Sequence, residues 1–180
     1  MLQITIPTLE LYDEEKEEFL YVKGQTLQLE HSLVSLRKWE SKWNKAFLST
    51  KEKTYEETID YIKCMTITQN VNPDVYKYIT SMDIERIRDY IDAPMTATYF
   101  SEDKTKKPSR EIVTAELIYY WMISLNIPFE CQKWHLNSLL TLIKVCDIKN
   151  TPPKKRSRRQ ILSENAALNA QRRKKFNSKG

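Results

Sequence analysis

The chain has 180 residues, of which 41% are hydrophobic, and its 29 Lys and Arg residues exceed its 24 Asp and Glu residues to give a net charge of +5. This length and hydrophobic content suit one compact domain. The two glycines, Gly24 and Gly180, exclude phosphate-binding loops and dinucleotide-binding fingerprints, because both need several glycines at fixed spacing.

The N-terminal segment predicts a small β-hairpin. Residues 2–6 alternate apolar and polar side chains, the apolar run 19–22 leads to Gly24, and residues 26–30 alternate again. Two such runs around a glycine are typical of a hairpin. The acidic run 13–18 is expected to be a solvated loop.

Three start patterns predict helices in the middle of the chain. Thr54 and Glu57 fit a capping box, in which each side chain satisfies a free backbone amide at the helix start. Asn72 and Pro73 suit the cap and the first position of a second helix. Ser81 is expected to cap a third.

Two strongly apolar helices are predicted after a charged loop at 101–108. The segment 111–125 is apolar almost all round from Leu117 onward, which is typical of a central, buried helix. Pro128 opens the next helix, which has a wide apolar face. The pattern as a whole predicts a mainly α fold, a helical bundle with a small N-terminal β-hairpin.

The C-terminal segment differs in charge from the rest of the chain. Pro152 and Pro153 are expected to end the preceding helix. Residues 154–180 carry ten Lys or Arg and one acid, which gives +9 and leaves −4 for the remainder. We therefore predict a helical domain over 1–150 and a basic, partly disordered tail over 151–180.

The cysteines and the apolar runs indicate the compartment. Cys64, Cys131 and Cys146 contain no CxxC pair, which favours a reducing compartment over a disulfide framework. The N-terminus lacks the basic and apolar regions of a signal peptide. The longest apolar run, 118–125, is far shorter than the roughly 20 residues of a membrane span. We expect a cytoplasmic protein with no membrane partner.

The segment around Trp39 and Trp43 is the first candidate binding surface. Leu36, Trp39, Trp43 and Phe47 recur at helical spacing, and aromatic residues spaced in this way usually belong to the core. Four Lys and Arg residues also lie within 37–45. An aromatic and basic face can stack on bases or anchor a protein partner, so the sequence leaves both a core role and a partner role open.

The basic tail is the second candidate surface. Its cations can neutralise phosphates and so bind nucleic acid without sequence preference. They can also dock on an acidic protein, or only keep the chain in solution. The tail residues expected to meet a partner are Lys154, Lys155, Arg156, Arg158, Arg159, Arg172 and Arg173.

Other polar residues have simpler structural explanations. Cys131 and His135 are four residues apart and can share a helix face, but zinc needs two further ligands that no neighbouring pair supplies. We expect a partly buried thiol and a hydrogen-bonded histidine beside Trp134 there. His31 is expected to contact a helix start, and the acids Glu56, Glu57 and Asp60 to favour the positive end of their helix. We expect no catalytic site, no metal and no cofactor.

Six segments of the chain follow one another in a recognisable order. They are EHSLVSLRKWESKW (30–43), YIKCMT (61–66), APMTAT (93–98), ELIYYWM (116–122), PFECQKWHLN (128–137) and ALNAQRR (167–173). This arrangement resembles the small tail assembly chaperone-type proteins of tailed bacteriophages. The resemblance implies a helical, non-enzymatic protein that binds the long helical tape-measure protein, shields its apolar surface during assembly and is absent from the finished virion.

Three functional hypotheses follow. The first is an assembly chaperone or accessory protein with a helical protein client. The second is a nucleic-acid-binding protein that acts through its basic tail, although the chain lacks a clear helix-turn-helix pattern and its body is acidic. The third is a structural tail or connector component of a particle.

Overall fold

A computed structural model describes residues 1–13, 18–49, 51–100, 111–152 and 158–177. The chain divides into two compact units, Met1–Asp147 and Ile148–Gly180. The first unit is mainly helical with small antiparallel sheets near the N-terminus. The predicted fold class is therefore confirmed.

Four short strands form two antiparallel ladders. Strand β1 (Leu2–Ile6) pairs with β4 (Gln25–Leu29), and β2 (Leu9–Asp13) pairs with β3 (Glu18–Val22). The expected pairing of the runs on either side of Gly24 is therefore wrong, because each run pairs with the segment before β3. The inward side chains of β1 and β4 explain the observed pairing, since they join one core.

Gly24 lies between β3 and β4 and is explained by close backbone contact. A Cβ atom at this position would lie 2.7 Å from the Thr8 nitrogen and 2.8 Å from the Ile6 oxygen. The Gly24 N–H also donates to the Thr8 hydroxyl at 3.1 Å. The glycine therefore lets two backbone segments approach each other, rather than forming a turn.

Gly24→Ala is expected to lower the free energy of unfolding by about 1–3 kcal/mol, because the added methyl group forces backbone atoms apart. Thermal unfolding of the variant checks this against Lys23→Ala, a change at the exposed neighbouring residue. A melting temperature equal to that of Lys23→Ala would show that the strands adjust without cost.

Helices α1 (Leu33–Trp43) and α2 (Tyr55–Met65) follow the strands. The Thr54 hydroxyl accepts from the Glu57 N–H and the Glu57 carboxylate accepts from the Thr54 N–H, which confirms the predicted capping box. A 3-10 helix then spans Pro73–Tyr78 with Asn72 as its cap.

Helix α3 (Ser81–Asp92) is capped one residue earlier than expected. The Thr80 hydroxyl accepts from the Asp83 N–H, and the Asp83 carboxylate accepts from the Thr80 N–H. Ser81 is the first helical residue. The reciprocal pair three residues apart explains why Thr80 is the cap.

Helix α4 (Ala115–Ser124), a 3-10 helix (Phe129–Lys133) and helix α5 (Leu136–Asn150) complete this part of the fold. The expectation that the α4 segment is buried all round is wrong. Ala115, Ile118 and Met122 are buried, whereas the opposite face is exposed. One helix face therefore lies fully in the core, and Tyr119 and Trp121 beside it are partly buried against the core.

The core of the first unit joins the sheet formed by β1 and β4 to the helices. Helix α1 packs against α2 and α4. The largest fully buried side chains come from strands and helices alike: Trp39, Ile4, Ile6, Leu27, Leu29, Leu33, Leu36, Ile62, Met65, Ile118, Met122 and Leu136.

Helix α6 (Arg158–Phe176) belongs to the second unit. It is one continuous helix of 19 residues within the predicted basic tail. Arg158, Arg159 and residues 161–176 are all exposed. This helix therefore buries none of these side chains.

Candidate binding surfaces

Trp39 belongs to the core. Its side chain is 1% exposed, and its indole N–H donates to the Glu57 carbonyl oxygen at 2.9 Å. The ring meets Phe47 and Tyr61 edge-on, with centroids 5.1 and 6.5 Å away. This placement agrees with the core interpretation of Trp39 and corrects the alternative of a partner-facing ring.

Trp43 keeps part of its surface exposed. Its indole N–H donates to the Asp60 carboxylate at 3.0 Å, and its ring stacks on Trp39 with centroids 6.1 Å apart. Trp43 thus closes the edge of the aromatic core. A partner role for Trp43 stays a prediction.

The cations near Trp43 pair with acids of α2. The Lys42 ammonium pairs with the Asp60 carboxylate, and the Lys45 nitrogen lies 2.5 Å from a Glu57 carboxylate oxygen. The ammonium of Lys45 holds the pKa of Glu57 below its ordinary value. Lys42 on α1 and Lys45 in the segment after it therefore bind to α2, which leaves less positive charge for a phosphate partner than the sequence suggested.

An apolar and aromatic surface lies on the outer face of α4. Tyr120 is 63% exposed, Ile123 is 61% exposed, and Phe129 of the following 3-10 helix is 53% exposed. With Tyr119 they line a shallow groove of about 510 Å³. We call these four residues the α4 groove.

Contacts at its floor fix the shape of the α4 groove. The Tyr119 hydroxyl donates to the Gln132 side-chain oxygen at 2.8 Å, which ties α4 to the 3-10 helix. The rings of Tyr119 and Phe129 lie 6.5 Å apart. The Arg37 guanidinium lies over the Tyr119 ring at 6.0 Å and Glu116 lines the opposite part, so the apolar surface has one cation and one acid beside it.

Sequence reasoning missed the α4 groove because it assigned α4 to the interior. The available signal was the composition of α4, in which aromatic and aliphatic residues occupy every face from Leu117 to Ile123. Such a helix needs either burial or a partner on each face. Packing against distant segments decides which faces of α4 are covered. The sequence of α4 alone therefore does not distinguish its buried face from its exposed face.

Cys131 and His135 do not share a helix, because Cys131 lies in the 3-10 helix and His135 lies between it and α5. The expected buried thiol and hydrogen-bonded histidine are nevertheless present. Cys131 is 5% exposed, and the Nε2 atom of His135 lies 3.0 Å from the Tyr90 carbonyl oxygen. The His135 ring lies 5.1 Å from the His31 ring. Within the described ranges, no group of three or more His, Cys, Asp or Glu residues is arranged to hold a metal ion.

His31 is buried at the start of α1 and contacts α2. Its Nδ1 atom lies 2.5 Å from the Tyr61 hydroxyl. Burial, and secondly the neighbouring His135, lowers the pKa of His31 to about 3. Burial also lowers the pKa of His135, against the Tyr90 carbonyl and the Glu30 carboxylate, which raise it.

The predicted tail residues fall into two groups. Arg158, Arg159, Arg172 and Arg173 lie on α6 and are exposed. The other three, Lys154, Lys155 and Arg156, lie outside the described residues. Cations near both ends of α6 therefore flank a middle segment that carries few charges.

Comparisons with known proteins give no match for this chain among family models, curated proteins or solved structures. In the part of the chain that the structure describes, no helix is long and apolar enough to cross a membrane.

Proposed function

We propose that this chain is a non-enzymatic protein that binds a helical segment of a client protein, as an assembly chaperone or accessory protein. The observation that carries the proposal is the α4 groove, with Tyr120, Ile123 and Phe129 exposed beside one another. Neighbouring apolar side chains at the surface of a small protein mark a site of interaction more often than chance exposure.

The chemistry of the α4 groove favours an amphipathic helix. Such a partner places apolar side chains at i, i+3, i+4 and i+7 into an apolar groove. The Arg37 and Glu116 side chains lie beside the apolar surface and suit charged residues at the edges of that helix. The resemblance to tail assembly chaperones supplies the client class, a long helical protein of the tape-measure type.

Tyr120→Ala and Ile123→Ala are each expected to weaken client binding about tenfold, because each removes an apolar anchor from the groove. Tyr55→Ala and Ile67→Ala are matched controls, since Tyr55 is 62% exposed and Ile67 is 51% exposed elsewhere in the first unit. Affinity purification from nuclease-treated native cells identifies the client, and titration with that purified client measures the affinities.

Equal loss in the α4 variants and in the controls would contradict the proposed site. Recovery of the chain in finished particles at a fixed copy number would instead favour the structural tail or connector hypothesis. A client lost only when Tyr120 or Ile123 is changed supports the chaperone hypothesis.

A second candidate function is nucleic-acid binding through α6. The observation that favours it is the exposure of Arg158, Arg159, Arg172 and Arg173 on one uninterrupted helix. Lysine and arginine side chains that neutralise phosphates release counterions, and the affinity then falls as salt is raised. Because the α4 groove has little net charge, this function needs α6 rather than the groove.

A further inference from the structure

We propose that α6 enters the major groove of duplex DNA and contacts base edges through one stripe of side chains. The inference rests on the second candidate function and specifies its ligand and its contact residues. The stripe consists of Arg158, Asn165, Asn169 and Arg172, which we call the Arg-Asn stripe.

Helical geometry places the Arg-Asn stripe on one side of α6. The structure has a continuous α-helix from Arg158 to Phe176. At 3.6 residues per turn, residues 158, 165, 169 and 172 lie within an arc of about 60 degrees. Side chains in such an arc can enter one groove together.

The residue types in the stripe suit base edges. Arginine can donate two hydrogen bonds to guanine, and asparagine can form two with adenine. An acidic protein surface is matched by cations alone and gives no reason for two carboxamides between two guanidinium groups. Asn165 and Asn169 therefore favour DNA over an acidic protein.

Three of the four remaining cations of α6 flank the stripe. Arg173 and Arg159 lie to one side, about 70 and 110 degrees from its centre, and Lys175 lies about 90 degrees to the other side, whereas Lys174 lies on the opposite face. A helix in the major groove has a phosphate backbone on each side, so these cations suit phosphate contacts. Glu164, the acid of this helix, lies about 110 degrees from the centre of the stripe on the side of Lys175. It is therefore away from the bases but offsets part of the positive charge on that side.

The length and exposure of α6 also suit binding in the major groove of B-DNA. Its 19 residues make a helix about 28 Å long, and the major groove of B-DNA is wide enough for an α-helix whereas that of A-form RNA is too narrow. All four stripe residues are exposed. No rearrangement of a buried core is needed before they meet a ligand.

The test uses the full chain and a random-sequence duplex pool. Rounds of selection identify a preferred duplex, and an unrelated duplex of equal length gives the reference for binding without specificity. Asn169→Ala is expected to weaken binding to the preferred duplex about tenfold and to leave the reference affinity within about twofold. Gln171→Ala is the matched control, because it removes a carboxamide from the opposite face of the same exposed helix.

Phosphate contacts are measured separately. Arg173→Ala and Lys175→Ala are expected to weaken binding to both duplexes alike, and each to reduce the salt dependence by about one phosphate contact. Circular dichroism of each variant checks that the helix persists, since alanine favours helix formation.

The outcomes separate the inference from the function on which it rests. Salt-dependent binding without an enriched sequence, or equal effects of Asn169→Ala and Gln171→Ala, would overturn the Arg-Asn stripe while leaving nucleic-acid binding in place. Absence of binding to any duplex at low salt would overturn both. Retention of an acidic protein instead of DNA would assign α6 to a protein partner.

Discussion

Glu40→Ala is expected to lower the free energy of unfolding by about 3–5 kcal/mol, because it leaves two backbone amides of the core without an acceptor. Glu40 lies on α1 and is 7% exposed. One carboxylate oxygen accepts from the Phe47 N–H at 2.8 Å, and the other accepts from the Ala115 N–H at 2.7 Å. A single side chain therefore joins α1 to the segment after it and to the start of α4.

The position of Ala115 adds to this effect. Ala115 is the first residue of α4 and is fully buried, so water cannot replace the lost acceptor without opening the core. A carboxylate at a helix N-terminus is also stabilised by the helix dipole. Truncation at residue 40 removes this contribution together with the two hydrogen bonds.

Urea denaturation of Glu40→Ala and of Glu56→Ala measures the effect. Glu56 lies in the first turn of α2 and is exposed, so its change is expected to cost less than about 0.5 kcal/mol. The loss of unfolding free energy in Glu40→Gln is expected to lie between those of Glu40→Ala and Glu56→Ala. The amide keeps one acceptor oxygen but turns a donor toward the other N–H. A loss below about 1 kcal/mol in Glu40→Ala would mean that the two amides find other partners.

Local patterns predicted much of the helical structure. The capping box at Thr54 and Glu57 and the start at Asn72 and Pro73 depend on residues within one turn of each other, and both are present. Their hydrogen bonds form within the segment that the sequence displays. No knowledge of the rest of the fold is needed to predict them.

The strand pairing and the ion pairs were predicted less well, because both depend on residues far apart in the sequence. The pairing of β4 with β1, rather than with β3, depends on residues 19 to 27 positions away. Lys42 and Lys45 follow the same rule, since the acids that pair with them lie on α2. A local count of cations near Trp43 therefore predicts a binding face that the fold uses to join two helices.

Glu40 shows what the sequence could have indicated. It lies four residues after Leu36 and seven after Leu33, which places it on the apolar side of α1. A glutamate at such a position is rarely buried without partners. The pattern therefore indicated a buried carboxylate, but the identity of its donors, Phe47 and Ala115, required the fold.

Lowering the pH from 6.5 to about 4.5 is expected to reduce the free energy of unfolding by about 2–3 kcal/mol through His31 alone. His31 is 1% exposed and its Nδ1 atom contacts the Tyr61 hydroxyl. Its ring also faces the rings of Phe47 and His135. A charge at His31 would therefore be buried among aromatic rings and beside a second imidazole.

The sign of the effect follows from the two states. In the folded chain the pKa of His31 is lowered to about 3, whereas in the unfolded chain it returns to its ordinary value of 6.5. Below pH 6.5 the unfolded chain binds a proton that the folded chain does not bind. The stability is therefore complete above pH 6.5 and falls by about 1.4 kcal/mol per pH unit below it.

His135 is expected to add to this loss, because its pKa is also lowered by burial. The Glu30 carboxylate opposes that shift, and the N-terminal ammonium, which lies 3.3 Å from Glu30, supports it. Since the two imidazoles are adjacent, protonation of one disfavours protonation of the other. Their contributions to the pH dependence belong to the pair rather than to either residue.

Urea denaturation of the wild type and of His31→Gln across this pH range tests the assignment. The glutamine amide can keep a hydrogen bond to Tyr61 but does not titrate. The pH slope of the unfolding free energy is therefore expected to be smaller in the variant by the uptake of about one proton, or about 1.4 kcal/mol per pH unit. Equal slopes in the two proteins would rule out His31 as the source. Glu57 does not contribute to the pH dependence in this range. Its pKa is below the ordinary value of 4.5, so its stabilising effect is lost only below about pH 4.5. Any difference in slope above that pH must therefore come from the buried imidazoles.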